Sequence, residues 1–482
     1  MMKRVMVGPM AGDLPAPQLP TVEVELTDMA NGGDAVGRVE NRAIFVKGGI
    51  AGELVRAAIT EQRRDYQRAV LVEVLRPSPD RIPCAYPDLT ETGGLQWQHL
   101  AYHAQLEWKT RIVRQLLQRL GRFPRPPVQM TIGTPPDADY WRQRTVAQFA
   151  VDQTGAIGFR KVGSHDVLDM PACPIVHPSL DAAYQNVRRW LLGRWGAQVG
   201  NYIERFTIRI AVDPPSRVTG HSGEIPIPGA TRAETTRRKH PALLSLEARP
   251  GGALLAAGGP EAIGRDLLQQ VPALVGVVVV GLPGRRGRVV IGQDHLMEQV
   301  LGKVFRISAG SFFQVNASQT PQLVQKALAF AQPQYNEDVL DGYSGVGLFS
   351  LFLADRARHV TAIESQPSAV ADARASAAFN HVSNITIIEG LLERVIPQLT
   401  SSRQKAQVAV VDPPRAGCHP RALQEIKAMN PRCLVYISCD PATLARDLHL
   451  FCSDGYRLAM VQPVDMFPNT AHIETVTLVE RR

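Results

Sequence analysis

Four stretches in the last third of the chain hold residue types and spacings that do chemistry. Ser438-Cys439-Asp440-Pro441 follows the apolar run Cys433–Ile437. A cysteine at the carboxyl end of a strand faces the crevice where open α/β sheets bind ligands. That makes Cys439 a nucleophile candidate, although a lone cysteine is more often a small buried apolar residue. The other cysteines are weaker candidates: Cys433 begins a strand, Cys452 ends a helix, and Cys418 trails the second stretch, Asp412-Pro413-Pro414-Arg415. The two prolines of that stretch give up backbone donors and stiffen the loop. They hold Asp412 at the end of the strand Val408–Val411. The third stretch, Asp341-Gly342-Tyr343-Ser344-Gly345-Val346-Gly347, follows Val339–Leu340, and its glycines let a ligand approach the backbone closely. Glu364 lies 19 residues beyond Gly345 and ends the next strand, where an acid hydrogen-bonds ribose hydroxyls. NAD and S-adenosylmethionine both suit such a turn. Ser350 stands where the third glycine of a pyrophosphate turn belongs, which favours S-adenosylmethionine, a ligand without phosphates. The fourth stretch, Asp465-Met466-Phe467-Pro468-Asn469-Thr470-Ala471-His472-Ile473-Glu474, supplies Asp465, His472 and Glu474. Each of these reads equally well as a surface or turn residue.

The elements around these stretches alternate. Strands are expected at Val339–Leu340, Val360–Ile363, Ile385–Ile388, Val408–Val411, Cys433–Ile437 and Thr475–Val479. Helices are expected at Leu348–Ala354, Ala369–Asn380, Pro420–Met429 and Ala442–Leu450. Alternation of this kind means a parallel sheet with right-handed crossovers and a ligand crevice at the strands' carboxyl ends. The N-terminal part reads differently. Residues 1–20, with Pro9, Pro15, Pro17 and Pro20, read as a flexible tail. Short strands at Val22–Leu26, Arg42–Val46, Leu54–Ile59 and Ala69–Leu75, separated by Gly32-Gly33, Gly37 and Gly48-Gly49, read as a small β-barrel over 21–81. Between them, Glu107–Leu120 has helical apolar spacing, Val146–Val151 and Ala156–Phe159 flank a Gln153-Thr154-Gly155 turn, and Leu274–Val280 reads as a buried strand. The middle, 82–310, is therefore expected to be a mixed α+β domain, with the α/β domain following over 311–482.

The chain has 482 residues, enough for about three domains. Its longest apolar run, Leu274–Leu282, is nine residues, where a membrane span needs about 20. Lys3-Arg4 is followed by a stretch broken at Gly8, Pro9 and Gly12, which argues against a signal peptide. Six cysteines exclude a disulfide scaffold and fit a reducing cytoplasm. The net charge is +8, yet residues 101–250 alone carry 21 Lys+Arg against 12 Asp+Glu, a net of +9, while 21–81 is at −1. Arg111, Arg114, Arg119, Arg122, Arg125, Arg142, Arg144, Arg160-Lys161, Arg188-Arg189 and Arg237-Arg238-Lys239 are interleaved with Trp108, Phe123, Tyr140, Trp141, Phe149 and Phe159. Cations and flat rings together suit phosphates and bases. A merely solvated basic face is the alternative.

Two resemblances draw these readings together. Gly32-Gly33-Asp34-Ala35-Val36-Gly37-Arg38 and Phe45-Val46-Lys47-Gly48-Gly49-Ile50-Ala51-Gly52-Glu53 resemble the TRAM domain, an OB-like barrel appended to RNA-modifying enzymes. The four chemical stretches, in their order, resemble the RNA (uracil-5-)methyltransferase family. So do Ser311-Phe312-Phe313-Gln314-Val315-Asn316, Tyr140-Trp141-Arg142-Gln143-Arg144 and Gly163-Ser164-His165. The resemblance covers 21–482. It implies a class I, Rossmann-like methyltransferase domain that binds S-adenosylmethionine through Gln314, Tyr343, Gly345, Glu364 and Asp412. It further implies Cys439 as nucleophile and Glu474 as base. The expected substrate is RNA, with 23S ribosomal RNA preferred over the tRNA T-loop, modified by a monomer without membrane attachment. Arg415 replaces the aromatic of the similar Asp-Pro-Pro-aromatic motif of adenine N6-methyltransferases, which argues against amino-group methylation. Many family members hold a 4Fe–4S cluster on four cysteines. Here Cys84 and Cys173 match two of those positions, and Thr92 and Leu95 stand at the others, so no cluster and no other metal site is expected. An inactive RNA-binding homologue and an NAD-dependent oxidoreductase are the competing readings. The intact Cys439 and Glu474 argue against the first. The missing glycine and the Asp-Pro-Pro-Arg loop argue against the second.

Overall fold

The computed structural model describes residues 19–215, 240–251, 254, 258–282, 287–401 and 405–482, with the backbone of 219–220 and 223–224. The tail up to residue 18 and the Arg237-Arg238-Lys239 cluster lie outside the described residues. Five strands close a barrel: β1 (Thr21–Met29), β2 (Ala35–Val39), β3 (Arg42–Lys47), β4 (Leu54–Gln62) and β5 (Tyr66–Arg76). The alternating pattern of β1 puts Val24 and Leu26 inside. Strand β2 runs through Gly37, which the sequence presents as a turn signal. A Cβ at Gly37 would lie 2.5 Å from Val24 Cγ2 and 2.6 Å from the Glu25 carbonyl. The glycine is there because β1 packs directly on the backbone of β2, not because the chain turns.

Helix α1 (Tyr102–Arg119) shares one apolar core with the barrel and with one face of the C-terminal sheet. The segment 82–310 is thus not one packed unit. Its middle forms a seven-stranded sheet of β6 (Val146–Val151), β7 (Ile157–Arg160), β8 (Val167–Asp169), β9 (Ile203–Ile210), β12 (Ala242–Ala248), β13 (Leu274–Val280) and β14 (Val289–Gly292); two short strands, β10 (Thr219–Gly220) and β11 (Gly223–Glu224), pair apart from it. Helices α2 (Pro178–Trp195) and α3 (Gly259–Gln270) pack in the core of that sheet. The hairpin β15 (His295–Val300) with β16 (Lys303–Ser308) belongs with the last unit, where Phe305 and Ile307 join its core.

That last unit holds seven strands: β17 (Asp338–Gly342), β18 (His359–Glu364), β19 (Ile385–Glu389), β20 (Val408–Val411), β21 (Cys433–Ser438), β22 (Tyr456–Val464) and β23 (Glu474–Arg481). They lie in the order β19-β18-β17-β20-β21-β23-β22. Helices α4 (Thr320–Ala331), α5 (Leu348–Leu353), α6 (Pro367–Phe379), α7 (Leu392–Ser401), α8 (Pro420–Ala428) and α9 (Pro441–Phe451) connect and flank them. The strands β17 to β21 are mutually parallel, and β23 inserts antiparallel between β21 and β22. The strand order reverses between β17 and β20, so a crevice opens beyond their carboxyl ends. Because β23 runs the other way, its first residue, Glu474, lies at this same end of the sheet. No helix among the described residues is long and apolar enough to cross a membrane.

Candidate active site

The crevice floor is built by the turn after β17. The amide of Gly345 donates to Glu364 Oε2 at 2.9 Å, and Glu364 Oε1 accepts from the amides of Ser365 and Gln366 at 2.7 Å each. A Cβ on Gly345 would meet nothing within 4 Å, and its φ of +56° suits glycine. The turn therefore presents bare backbone and a fixed carboxylate to an open space. Beneath it Asp341 is fully buried, bonded to Ser350 through Oδ2, while its Oδ1 and Ser344 Oγ have no partner. Burial, with Asp412 and Glu364 nearby, pushes the Asp341 carboxyl up to about 7. The amide of Asp412 donates to the Gly342 carbonyl at 3.2 Å, which docks the Asp-Pro-Pro-Arg loop against the same turn. Burial pushes Asp412 up to about 7 as well.

The opposite wall comes from β21 and β23. Their register pairs Ile437 with Val476 and Ser438 with Thr475, and Thr475 Oγ1 donates to the Ser438 carbonyl at 3.2 Å. The next residues along are Cys439 and Glu474. Asp440 caps α9, accepting from the amides of Ala442 and Thr443 at 2.9 Å each, so Cys439 sits between a strand end and a capped helix start. Burial, then the neighbouring Glu474 and Asp412, push the Cys439 thiol up to about 11, while Arg415 pulls it down. Glu474 is only 4 % exposed, and burial and Asp412 raise its carboxyl well above the usual range. Arg415 Nη2 lies 3.4 Å from His472 Nδ1, and burial followed by the charge of Arg415 lowers His472 to about 4. A thiol, a buried carboxyl, a second carboxyl and a guanidinium are thus near enough to shift one another's protonation. This set suits addition of sulfur to an electrophilic ring carbon and removal of a carbon-bound proton.

Not every expected residue joins this group. Tyr343, at φ +60°, accepts on its hydroxyl oxygen from the amide of His419 at 3.5 Å. Gln314 is buried and lines a cavity of about 300 Å³ with Thr145, Arg209, Glu298 and Ser318, a cavity that Tyr343, Glu364 and Asp412 do not line. Arg142 pairs with Asp181 at 3.2 Å, and Arg144 bonds the Gly94 carbonyl at 3.4 Å in a setting whose burial lowers its pKa. Those two cations serve the fold rather than a free basic surface. Gly163-Ser164-His165 is an exposed turn. Around the cluster-type segment, Thr92 Oγ1 donates to the Leu89 carbonyl at 2.8 Å, and Leu95 packs in one apolar core with Cys173, whose thiol burial pushes up to about 12. A hydroxyl already engaged, an isobutyl group and two thiols do not fit the donor set of an iron–sulfur cluster.

Sequence reasoning missed the residues that hold the fourth stretch. Lys109 Nζ is fully buried and bonds Asp465 Oδ1 at 2.5 Å and the Phe467 carbonyl at 3.1 Å. The signal was present: Lys109 lies three and four residues before Ile112 and Val113, on the apolar face of α1. A lysine there must find a buried anion.

Known proteins resemble this chain over most of its length. A family model described as tRNA (Uracil-5-)-methyltransferase matches residues 265–482, and a TRAM domain model matches residues 20–72. A protein of Halalkalibacterium halodurans named as an uncharacterized RNA methyltransferase is 35% identical over 465 residues, covering 95% of this chain and 96% of its own. One of the same description from Caldanaerobacter subterraneus is 35% identical over 478 residues, covering 95% and 98%. The crystal structure of Pyrococcus abyssi tRNA (uracil-54, C5)-methyltransferase with S-adenosyl-L-homocysteine superposes with a TM-score of 0.67 at 22% identity, covering 95% of this chain and 100% of that one.

Proposed function

The chain belongs to the RNA uracil-5-methyltransferase family, and from that premise we propose that it forms 5-methyluridine through a covalent adduct between Cys439 and C6 of the target uracil. The observation that supports the mechanism is the β21–β23 register: its last pair, Ser438 with Thr475, makes Cys439 and Glu474 the next residues at that end of the sheet, and Asp412 is close enough to act electrostatically on both. C5 of uracil is a poor nucleophile. Cys439 gives up its thiol proton to solvent, and addition of the resulting thiolate to C6 moves electron density onto C5 and O4. Asp412 lies where it can orient the ring. S-adenosylmethionine, when bound, supplies an electrophilic methyl group. The open backbone at Gly345, the fixed Glu364 carboxylate and the loop's lack of a phosphate grip fit that cofactor, with Asp412, Tyr343 and, on the family motif, Gln314 as further contacts. Glu474 then takes the proton from C5. Burial disfavours its charged form, so Glu474 in the ionised state is a stronger base than an exposed glutamate. The ring double bond reforms and the thiolate of Cys439 leaves. The target base must stand out of its stack to be reached from both faces.

The test is a pair of variants. Cys439→Ala abolishes turnover and keeps cofactor binding; methylation at the wild-type rate would overturn the nucleophile assignment. Glu474→Gln accumulates a covalent RNA adduct on a denaturing gel, and absence of one overturns the base assignment. Calorimetry with S-adenosylmethionine separates this reading from an inactive RNA-binding homologue, which would not bind it.

For the substrate, the TRAM barrel together with the Cys84–His99 segment supports 23S ribosomal RNA, acted on by a monomer in the cytoplasm. The second reading is the tRNA T-loop, since the Pyrococcus enzyme of similar fold is named for tRNA uracil-54. Mapping 5-methyluridine in both RNAs of a deletion strain decides between them. We also propose that the protein works without an iron–sulfur cluster. Stoichiometric iron and sulfide in anaerobically purified protein would overturn this.

A further inference from the structure

The fourth stretch is an irregular strap, 465–473, between β22 and β23, and it delivers Glu474 to the crevice. Its entry is tied from both sides: Asn316 Nδ2 donates to the Met466 carbonyl at 3.1 Å and Gln319 Nε2 to that of Asp465 at 3.1 Å, while Lys109 of α1 holds the Asp465 carboxylate and the Phe467 carbonyl. Its middle is tied to the N-terminal half of the chain. The amide of Trp97 donates to the Asn469 carbonyl at 2.9 Å. Gln105 accepts from the Asn469 amide at 2.8 Å and donates from Nε2 to Asn469 Oδ1 at 3.1 Å. Asn469 itself sits at φ +61°, in the left-handed region that asparagine adopts more readily than other side chains. The chain of contacts continues to the barrel. Trp97, fully buried, donates from Nε1 to the Gly33 carbonyl at 2.9 Å. A Cβ at Gly33 would come within 2.9 Å of Ala471 Cβ and 3.1 Å of Trp97 Nε1. The barrel turn therefore abuts the strap three residues before Glu474.

We propose that the barrel turn at Gly33, Trp97 and Gln105 are positioning residues for Glu474, so that the N-terminal barrel sets the geometry of proton removal as well as gripping RNA. This rests on Glu474 as the base. A base must be held within about 0.5 Å of its productive place, and the strap that carries Glu474 has its middle fastened by residues of another unit. The step affected is the last one: Glu474 takes the C5 proton, the C5–H electrons form the C5–C6 double bond, and the C6–S pair returns to Cys439. Loosening the strap slows this step and leaves formation of the C6–S bond nearly intact.

The experiment uses the full-length Gly33→Ala and Gln105→Met variants beside Glu474→Gln, with a uridine-containing RNA and S-adenosylmethionine. Gln105→Met keeps the side chain's size and removes its hydrogen bonds, so it serves if Gly33→Ala melts. Expected is adduct accumulation in both variants, with release slowed at least tenfold, RNA KM within threefold of wild type, and cofactor affinity unchanged. Adduct in Glu474→Gln but in neither other variant overturns the inference and leaves the base assignment standing. No adduct in Glu474→Gln overturns both. A raised RNA KM with a normal release rate shows the barrel to be an RNA grip only, and loss of cofactor binding in both variants shows a general structural role; either result overturns the inference.

Discussion

Burial and two neighbouring carboxylates raise the Cys439 thiol to about 11, so the resting site holds it protonated. The thiolate form is what alkylating reagents attack. Alkylation of Cys439 by iodoacetamide, followed by mass spectrometry, should rise with pH up to about 11. Asp412→Asn removes one of the two charges that disfavour the thiolate, so it should speed alkylation severalfold at pH 8. Asp341 makes the complementary case. Its folded pKa, about 7, is raised above the ordinary aspartate value of 3.8. Between those values the folded state binds more protons than the unfolded one, so this group's contribution to stability is full below about pH 4 and is lost as pH rises towards 7. At about 1.4 kcal/mol per pH unit, the loss is at most about 4 kcal/mol. Asp341→Asn should therefore raise the melting temperature at pH 8 and leave it nearly unchanged at pH 4. A fall at pH 8 would show that the carboxylate is stabilised by something other than Ser350. Among single residues, the positions of Cys439, Asp412, Glu364 and Glu474 at or just beyond strand ends are legible because apolar runs announce those strands. Their mutual approach is not, since it depends on which strands are neighbours.

At the scale of elements, the caps and close contacts carry the precision. Asp440 fastens the first turn of α9 immediately after Cys439. Asp440→Ala removes an N-cap that contributes about 1 kcal/mol, and it should lower both the melting temperature and the rate of adduct formation. Equal rates in the two proteins would show that the strand end alone sets the thiol's position. The alternation of strands and helices from β17 to α9 is readable because parallel strands buried on both faces are short apolar runs. Helix α7, which fills the alternation between β19 and β20 with Pro397 inside it, and the hairpin β15–β16 are not among the elements the sequence announces. In isolation Gly37 is a turn signal, and only the approach of Val24 explains it as a glycine inside strand β2. The antiparallel direction of β23 has no local signature either, yet it is what carries Glu474 to the crevice.

At the scale of the molecule, the basic residues of 101–250 that are among the described residues include two kinds. Arg142 and Arg144 are engaged internally, and Arg188 pairs with Asp169 at 2.6 Å. Arg111, Arg119, Arg122 and Arg125 are exposed on and just after α1. Replacing these four with glutamine should flatten the salt dependence of RNA binding, the log–log slope falling by about 0.7–0.9 for each phosphate that is no longer neutralised. Arg63→Gln with Arg64→Gln should change it less. Arg142→Ala should appear as lost stability instead. An unchanged slope in the four-arginine variant would place the phosphate grip elsewhere.

Read alone, the chain announces its class of chemistry, the barrel and the parallel α/β unit, and it offers the candidate reactive groups. Local periodicity, strand-end position and motif spacing depend only on residues near one another in the chain. Only the folded molecule settles which charges are free and that α1 packs with both the barrel and the C-terminal sheet. Only there do Lys109, Gln105, Trp97 and Gly33 reach a strap more than 350 residues away, as the Lys109–Asp465 and Gln105–Asn469 pairs show. The physical reason is burial. A buried cation or amide must be matched wherever the fold brings a partner, and the chain's own order does not reveal where that is.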